Sequence, residues 1–297
     1  MKQRSVYSLA LTAILLWSTA STAFKLALRG MDFAQLLFVA STIAWLALLV
    51  VVLIQRRSGE LFRQTGGNLL RSALGGFLNP FLYYMVLLKA YSILPAQIAQ
   101  PLNYTWPVVL VLLSVPFLKQ KLRWIDIAGL LISFVGVLVI SSQGENILRT
   151  PVRQPFGVFL AASSSVIWAS YWIYNMKDPR PEIIKVALNF FFGSLFTGIY
   201  LVCSSGLPEM TISLVPAVYV GLTEMAISFV CWLTALENTK NNARISNLVF
   251  ISPFVALFLI HLILGEKIFW TTPAGLLFII GGIMVQQLFS RKQKADG

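Results

Sequence analysis

PVVLVLLSVPFLKQKLRWIDIAGLLISFVG, residues 107–136, and PFVALFLIHLILGEKIFWTTPAGLLFIIGG, residues 253–282, follow one plan. Set 146 residues apart without a gap, Pro107 falls on Pro253, Leu118 on Leu264, Lys121 on Lys267, Trp124 on Trp270, Gly129 on Gly275 and Gly136 on Gly282. In each copy an apolar run carrying a proline leads to a short polar hinge, Lys119-Gln120-Lys121-Leu122-Arg123 or Gly265-Glu266-Lys267-Ile268-Phe269. A second apolar run with glycines seven residues apart follows. A duplicated pair of helices accounts for this pattern, and the rest of the chain is placed around it.

Hydrophobic residues make up 57% of the chain and charged residues 11%, where a soluble domain carries about a quarter charged. Apolar runs of about 20 residues recur from end to end, each long enough to cross a hydrocarbon core of about 30 Å. The composition is that of a membrane protein. A formal charge of +12 does not point to nucleic acid, because the basic residues fall between the apolar runs and the aromatics within them. Lys2 and Arg4 precede the first run as in a signal peptide, but that run extends from about Tyr7 to Leu28 without a cleavage site, so a retained helix is expected. Cys203 and Cys231 both have apolar neighbours, and neither a disulfide framework nor a metal site is indicated.

Apolar runs bounded by charge, proline or glycine predict ten spans, at about 7–28, 33–54, 69–90, 96–118, 124–141, 156–175, 184–205, 212–235, 244–264 and 271–289. The longest gap, Ser142 to Pro155, joins two halves, 1–145 and 146–297. With the N-terminus cytoplasmic, alternate sides collect 17 and 6 of the Lys and Arg residues. The larger set includes Arg56, Arg57, Arg63, Lys177 and Arg180, and the smaller includes Lys25, Arg29, Arg153 and Lys267. The excess of positive charge predicts that both termini are inside. Five spans per half is an odd number, so the second half enters the membrane upside down relative to the first. Inverted repeats of this kind, with a substrate site at the midplane where the halves meet, are an architecture of secondary transporters.

Ten spans in a five-plus-five inverted repeat, Trp17-Ser18 in span one and Leu264-Gly265-Glu266-Lys267 closing span nine resemble the EamA-like branch of the drug/metabolite transporter superfamily. Leu15-Leu16-Trp17-Ser18-Thr19 and Asn103-Tyr104-Thr105-Trp106-Pro107 are similar to motifs of the bacterial aromatic amino acid exporters. The resemblance implies a basket of helices around a central cavity lined by spans one, three, four, six, eight and nine, with five and ten peripheral. One position departs from the pattern: the acidic hinge residue is Glu266 in the second half and Gln120 in the first.

Among candidate functional residues, Glu224 is the most informative. It lies near the centre of span eight between Thr223 and Met225, where an ionised carboxylate costs about 2.5–3.5 kcal/mol on insertion scales. It is read either as a group that takes and releases a proton during transport or as a structural carboxylate paired with a lysine or neighbouring helices. A shift of about 145 places Asn79 of span three opposite it. Lys25 either snorkels to the outer surface or points inward to a substrate carboxylate or Glu224. In span four, Gln97, Gln100, Tyr104 and Pro107 fall along one helical stripe with Asn103 at its border, suiting either a substrate site or a bent packing helix. His261, the sole histidine, reads as a packing residue. Trp45, Trp124 and Trp270 read as interface anchors. Trp17, Trp168, Tyr171 and Trp232 lie deeper and are candidates to stack on a flat or cationic substrate.

The expected function is therefore secondary transport, with export of small polar or amphipathic metabolites such as amino acids across a bacterial inner membrane. A carrier without proton coupling, a uniporter or a drug or metabolite efflux protein, is the alternative. No His-Glu-x-x-His, Gly-x-Ser-x-Gly, aspartate pair or Walker motif supports an enzyme or an ATP-driven pump, so no catalytic residue, metal or cofactor is assigned. A channel would show a repeated filter or a ring of charge, and a non-transport scaffold is the remaining rival. The expected partners are a small-molecule substrate and the bilayer, with the chain acting as a monomer.

Overall fold

The computed structural model describes residues 3–119, 124–145, 153–204, 206–209, 211–239 and 248–295. Most of the first hinge, Gln120 to Arg123, lies outside the described residues, as do Arg149, Lys240, Arg244 and the expected start of span nine.

Among the described residues the fold is all helical. Seven helices are long and apolar enough to cross a membrane. They are α1 (Gln3–Ala27), α2 (Phe33–Ile54), α4 (Gly66–Ile93), α5 (Ala96–Phe117), α7 (Pro155–Met176), α8 (Glu182–Cys203) and α9 (Leu214–Asn238). Three more are apolar over shorter lengths: α6 (Trp124–Ser141), α10 (Val249–Leu264) and α11 (Thr271–Ala295). The five-residue α3 (Ser58–Phe62) connects α2 to α4. The helix ends follow local chemistry. Asp32 caps α2 in a reciprocal box: its carboxylate accepts from Ala34 N and Gln35 N at 2.8 and 2.9 Å, and Gln35 Oε1 accepts from Asp32 N. Thr65 caps α4, Pro155 and Pro181 open α7 and α8, and Gly265 ends α10 at φ 70°, a conformation glycine adopts without strain.

Small residues set the closest approaches. A Cβ on Gly136 of α6 would lie 2.5 Å from the carbonyl of Gly275 on α11, and one on Gly275 would lie 2.6 Å from that of Gly136. Gly282 meets the carbonyl of Gly129 in the same way, and between these contacts Ser133 Oγ donates to Ile279 O at 3.2 Å. As the number rises on α6 it falls on α11, so the two helices are antiparallel. Elsewhere α4 is closed on α8 at Gly76 against Asn189, and α9 on α2 at Gly221 against Ala40. Without aqueous driving force, such close packing is what holds membrane helices together. Large apolar side chains on the outer faces, among them Leu15, Val50, Phe159, Ile199 and Phe258, are exposed, as a lipid-facing surface requires.

Two helices carry a π-helical turn midway. In α4 the turn Phe77–Leu82 is π-helical and Asn79 departs to φ −149°, ψ 119° ahead of Pro80. In α9 the turn Thr223–Ile227 is π-helical. Phe77 and Thr223, where these turns begin, are 146 residues apart, the offset of the sequence repeat.

The loops separate to two ends. At one, Arg180 Nη1 donates to Gln64 Oε1 at 3.2 Å and Tyr174 OH to Arg71 O at 2.9 Å, joining the α7–α8 connection to the α3–α4 connection. There Lys185, only 2% exposed, is bound by Glu182 at 2.5 Å, and Asp178 is bound by Arg180. Burial opposes ionisation of Asp178, but the Arg180 hydrogen bonds outweigh it and hold the carboxyl below its usual range. At the other end Gln35 Nε2 donates to Gly206 O, Gly144 N to Thr271 Oγ1, and a denser lock joins α5 to the segment before α11. Glu266 accepts from the first backbone N–H groups of α5, Ala96 at 2.9 Å and Gln97 at 3.2 Å. The Gln97 side chain donates to Lys267 O at 2.8 Å and accepts from Phe269 N and Thr272 Oγ1. His261, exposed at this end, pairs through Nδ1 with Glu266 O at 2.9 Å.

Candidate functional site

A cavity of about 340 Å³ lies between the helices, lined by residues of α1, α4, α5, α7, α9 and α10, the six that the family resemblance implies. Among the described residues, helices α6 and α11 contribute no lining residue. One turn beyond Gln100 the Gln97–Glu266 lock covers one end. In the other direction the lining reaches Leu236, about 18 Å along α9 from Glu224 at 1.5 Å per residue.

Glu224 enters this cavity from the π-turn of α9. The altered turn exposes a main-chain acceptor, because i→i+5 bonding disrupts the regular ladder: Trp17 Nε1 donates to Glu224 O at 3.3 Å. On the side chain, Tyr84 OH donates to Oε1 at 3.1 Å, while Oε2 is buried without a hydrogen-bond partner. No lysine pairs with it among the described residues.

Polar groups on the facing helices are joined in a chain. Tyr83 OH of α4 donates to Asn103 Oδ1 at 3.2 Å, and Asn103 Nδ2 donates to Ser164 Oγ of α7 at 2.8 Å. Thr105 Oγ1 donates to Ser165 Oγ at 3.0 Å just below. Between Asn103 and Trp106 the helix is interrupted by a turn at Tyr104–Thr105, which lets α5 present Gln100, Asn103, Tyr104 and Pro107 to one cavity. Aromatic rings fill most of the remaining wall. Trp17 sits 5.4 Å from Trp232 and Trp168 4.7 Å from Tyr83, measured between ring centroids.

Of the residues expected from the sequence, Trp17, Gln100, Asn103, Tyr104, Trp168, Trp232 and Glu224 line the cavity. Lys25, Asn79 and Tyr171 do not. Lys25 Nζ donates to Tyr91 O and Leu94 O at 2.9 and 3.0 Å, satisfying the free carbonyls at the end of α4 where a cation is favoured; it neither snorkels freely nor reaches the cavity. Asn79 is fully buried, and its amide has no hydrogen-bond partner. Tyr171 pairs with Asn189 of α8, whose amide, oriented to satisfy its neighbours, accepts from the hydroxyl at 3.2 Å and donates to Lys185 O and Ser72 O. Gln97 leaves the expected stripe because it sits in the first turn of α5, where its partners are Lys267, Phe269 and Thr272. Tyr84, Tyr83, Trp172 and Phe229 line the cavity without having been expected. Tyr84 and Tyr91 stand seven residues apart, on one face of a membrane helix, and that spacing was the available signal.

These features fit a carrier with a central site between its helices, and comparison with known proteins agrees. The chain belongs to the EamA-like transporter family, which it matches over residues 4–142 and again over 155–286. It is 28% identical to an uncharacterized transporter of Clostridium kluyveri across 100% of this chain and 96% of that one. It is also 23% identical to the aromatic amino acid exporter YddG of Ancylobacter novellus, across 98% of this chain and 100% of that one. A solved crystal structure shares the fold at a TM-score of 0.68, with 21% identity, over 98% of this chain and 99% of the other. The protein is thus a multi-pass membrane transporter acting on a small molecule.

Proposed function

We propose that the chain is a secondary transporter that exports small amphipathic metabolites, amino acids among them, across a bacterial inner membrane by alternating access at the central cavity. It does so as a monomer of ten crossings in two inverted five-helix halves, 1–145 and 146–297. The shorter helices complete the count: the 18 residues of α6 rise about 27 Å, close to the thickness of a hydrocarbon core. Inversion is supported by the antiparallel contacts of Gly136 with Gly275 and of Gly282 with Gly129, which exchange under the 146-residue offset. The π-turns of α4 and α9 obey the same offset.

The observation that carries the transport reading is a cavity closed at one end by a lock between the halves. Glu224 lines that cavity and presents an unpartnered carboxylate oxygen. Breaking the Gln97–Glu266 bonds at one end while forming contacts at the other is a rocking motion of one half against its mate. Glu224 is the coupling group: substrate and proton compete for its free oxygen, so that proton entry releases substrate outward. Each pH unit then contributes about 1.4 kcal/mol per proton moved.

Counterflow in proteoliposomes tests this, with candidate amino acids and related metabolites preloaded and labelled uptake followed with and without a pH gradient. Wild type is expected to exchange and to accumulate against a gradient when pH drives it; Glu224→Gln is expected to lose the accumulation. Exchange by the wild type that ignores the pH gradient would remove proton coupling and leave a uniporter. Non-saturable flux would instead make the chain a channel.

A further inference from the structure

We propose that the outer face of α4 and α8, at the arginine-rich end, binds a phospholipid with an anionic headgroup, one acyl chain lying against the π-turn of α4. The inference goes beyond the transport reading and needs only that the chain crosses a bilayer. Its headgroup part follows from charge left over. Arg56, Arg63 and Arg71 are exposed where α2, α3 and α4 connect, and among the described residues their side chains make no hydrogen bond or ion pair. The acids at this end are already engaged: Glu60 is paired with Arg57, towards which Glu237 also lies, Asp178 with Arg180 and Glu182 with Lys185. A guanidinium group takes phosphate oxygens in pairs, and a basic segment beside a membrane span attracts anionic lipid.

An apolar track starts at the same place. Leu70, Leu74, Phe77 and Phe81 recur at four, three and four residues, along one side of α4. The first three are exposed and Phe81 is half-buried. The rings of Phe77 and Phe81 are 5.5 Å apart between centroids, and both reach Phe196 of α8, at 6.0 and 6.1 Å; Phe81 also reaches Tyr200 at 6.4 Å. The seam beneath is closed, because a Cβ on Gly76 would meet the carbonyl of Asn189 and one on Gly193 the ring of Pro80. A chain therefore lies over the rings and does not pass between the helices.

Length decides what fits. Ten residues separate Arg71 from Phe81, a rise of about 15 Å at 1.5 Å per residue. That is about half of a 30 Å hydrocarbon core, the depth of one leaflet. Unpaired arginines at the head of an apolar track one leaflet long match the charge and the reach of a single phospholipid. The track also crosses the distorted part of the helix, since Phe77 opens the π-turn and Phe81 lies within it. Tyr83 and Tyr84, which line the cavity, follow directly. A lipid seated there supports the turn from its outer side.

The test uses the purified full chain in detergent, with dioleoylphosphatidylglycerol or dioleoylphosphatidylcholine added. Native mass spectrometry reads the lipid retained, and the thermal midpoint reads its effect. Phosphatidylglycerol is expected to stay bound and to raise the midpoint above that in phosphatidylcholine. The paired variant Arg63→Gln, Arg71→Gln is expected to lose both effects, and Arg63→Lys, Arg71→Lys to keep most of them. Arg29→Gln, at the opposite end, is expected to behave as wild type. Leu74→Ala and Phe81→Leu shorten the track without touching the arginines, and each is expected to weaken retention. Equal retention of the two lipids would overturn the site, and so would an equal loss in Arg29→Gln, which would mark a diffuse effect of charge. A midpoint raised as far by soluble glycerol 1-phosphate would make the ligand a free anion and overturn the lipid. Unchanged retention in both Leu74→Ala and Phe81→Leu would take the acyl chain off the π-turn and refute the placement. None of these outcomes bears on Glu224 or on counterflow, so the transport reading stands or falls separately.

Discussion

Asn103 shows how much a single amide does in this fold. It accepts from Tyr83 and donates to Ser164, so one side chain ties α4, α5 and α7 beside the cavity. Asn103→Ala strands the Tyr83 hydroxyl in an apolar wall, and an unsatisfied buried group costs about 1–3 kcal/mol. The thermal midpoint of the detergent-solubilised protein is expected to fall, with substrate affinity weakened as Tyr83 reorients; an unchanged midpoint would mean that water replaces the amide. Asn103 and Glu224 were legible in the sequence because a polar group at membrane depth must have a reason to be there. Tyr84 carried only the weaker signal of its spacing from Tyr91, since tyrosine in a membrane segment is ordinary at the interfaces, and its contact with Glu224 comes from helix packing. Lys25 was misplaced for a related reason: its partners are backbone carbonyls of a helix 66 residues away, and a sequence carries no mark of where a carbonyl is left free.

At the scale of helices, the glycine pattern was the strongest signal in the chain and it corresponds to a real seam. Gly136 and Gly275 each allow a backbone carbonyl of the partner to occupy the space of a Cβ. Gly275→Leu is therefore expected to push α6 from α11 and sharply reduce the yield of folded protein. Gly281→Ala, where an added Cβ meets nothing within 4 Å, is expected to be neutral; size-exclusion profiles of the two variants give the comparison. The lock at the head of α5 makes a second test. Gln97→Ala removes three hydrogen bonds that cross from residues 97 to 267–272, and its expected effect is to raise the reactivity of a cysteine placed at Gln100 toward reagent added from the closed end. Equal reactivity with and without Gln97 would mean that the lock does not control access. Helix limits were readable because apolar runs end where Pro, Gly or charge intervenes. The π-turn of α9 was not: no proline lies between Thr223 and Ile227, and the turn is seen only in the structure, where it packs against α1 and α2.

For the molecule as a whole, the remaining question is which end faces the cytoplasm. The hydrogen bonds of Arg180 to Gln64 and of Tyr174 to Arg71 gather the α2–α4 and α7–α8 connections at one end, and these carry Arg56, Arg57, Arg63, Lys177 and Arg180. The opposite end holds the lock and the α8–α9 connection, with Arg29, Arg153 and Lys267 as its loop cations among the described residues. Positive charge is retained on the cytoplasmic side during insertion, so the arginine-rich end is expected inside and the lock outside. In a background with Cys203 and Cys231 replaced by serine, Gly59→Cys and Lys177→Cys should resist a membrane-impermeant maleimide added to intact cells. Leu207→Cys, 73% exposed in the native side chain, and Arg153→Cys should react. The pair at 59 and 207 is decisive, because these positions occupy the same connection of their respective halves, between the second and third membrane helices. Labelling from opposite sides follows only if the second half is inverted; labelling of both from one side would refute inversion and, with it, the midplane site that two inverted halves create.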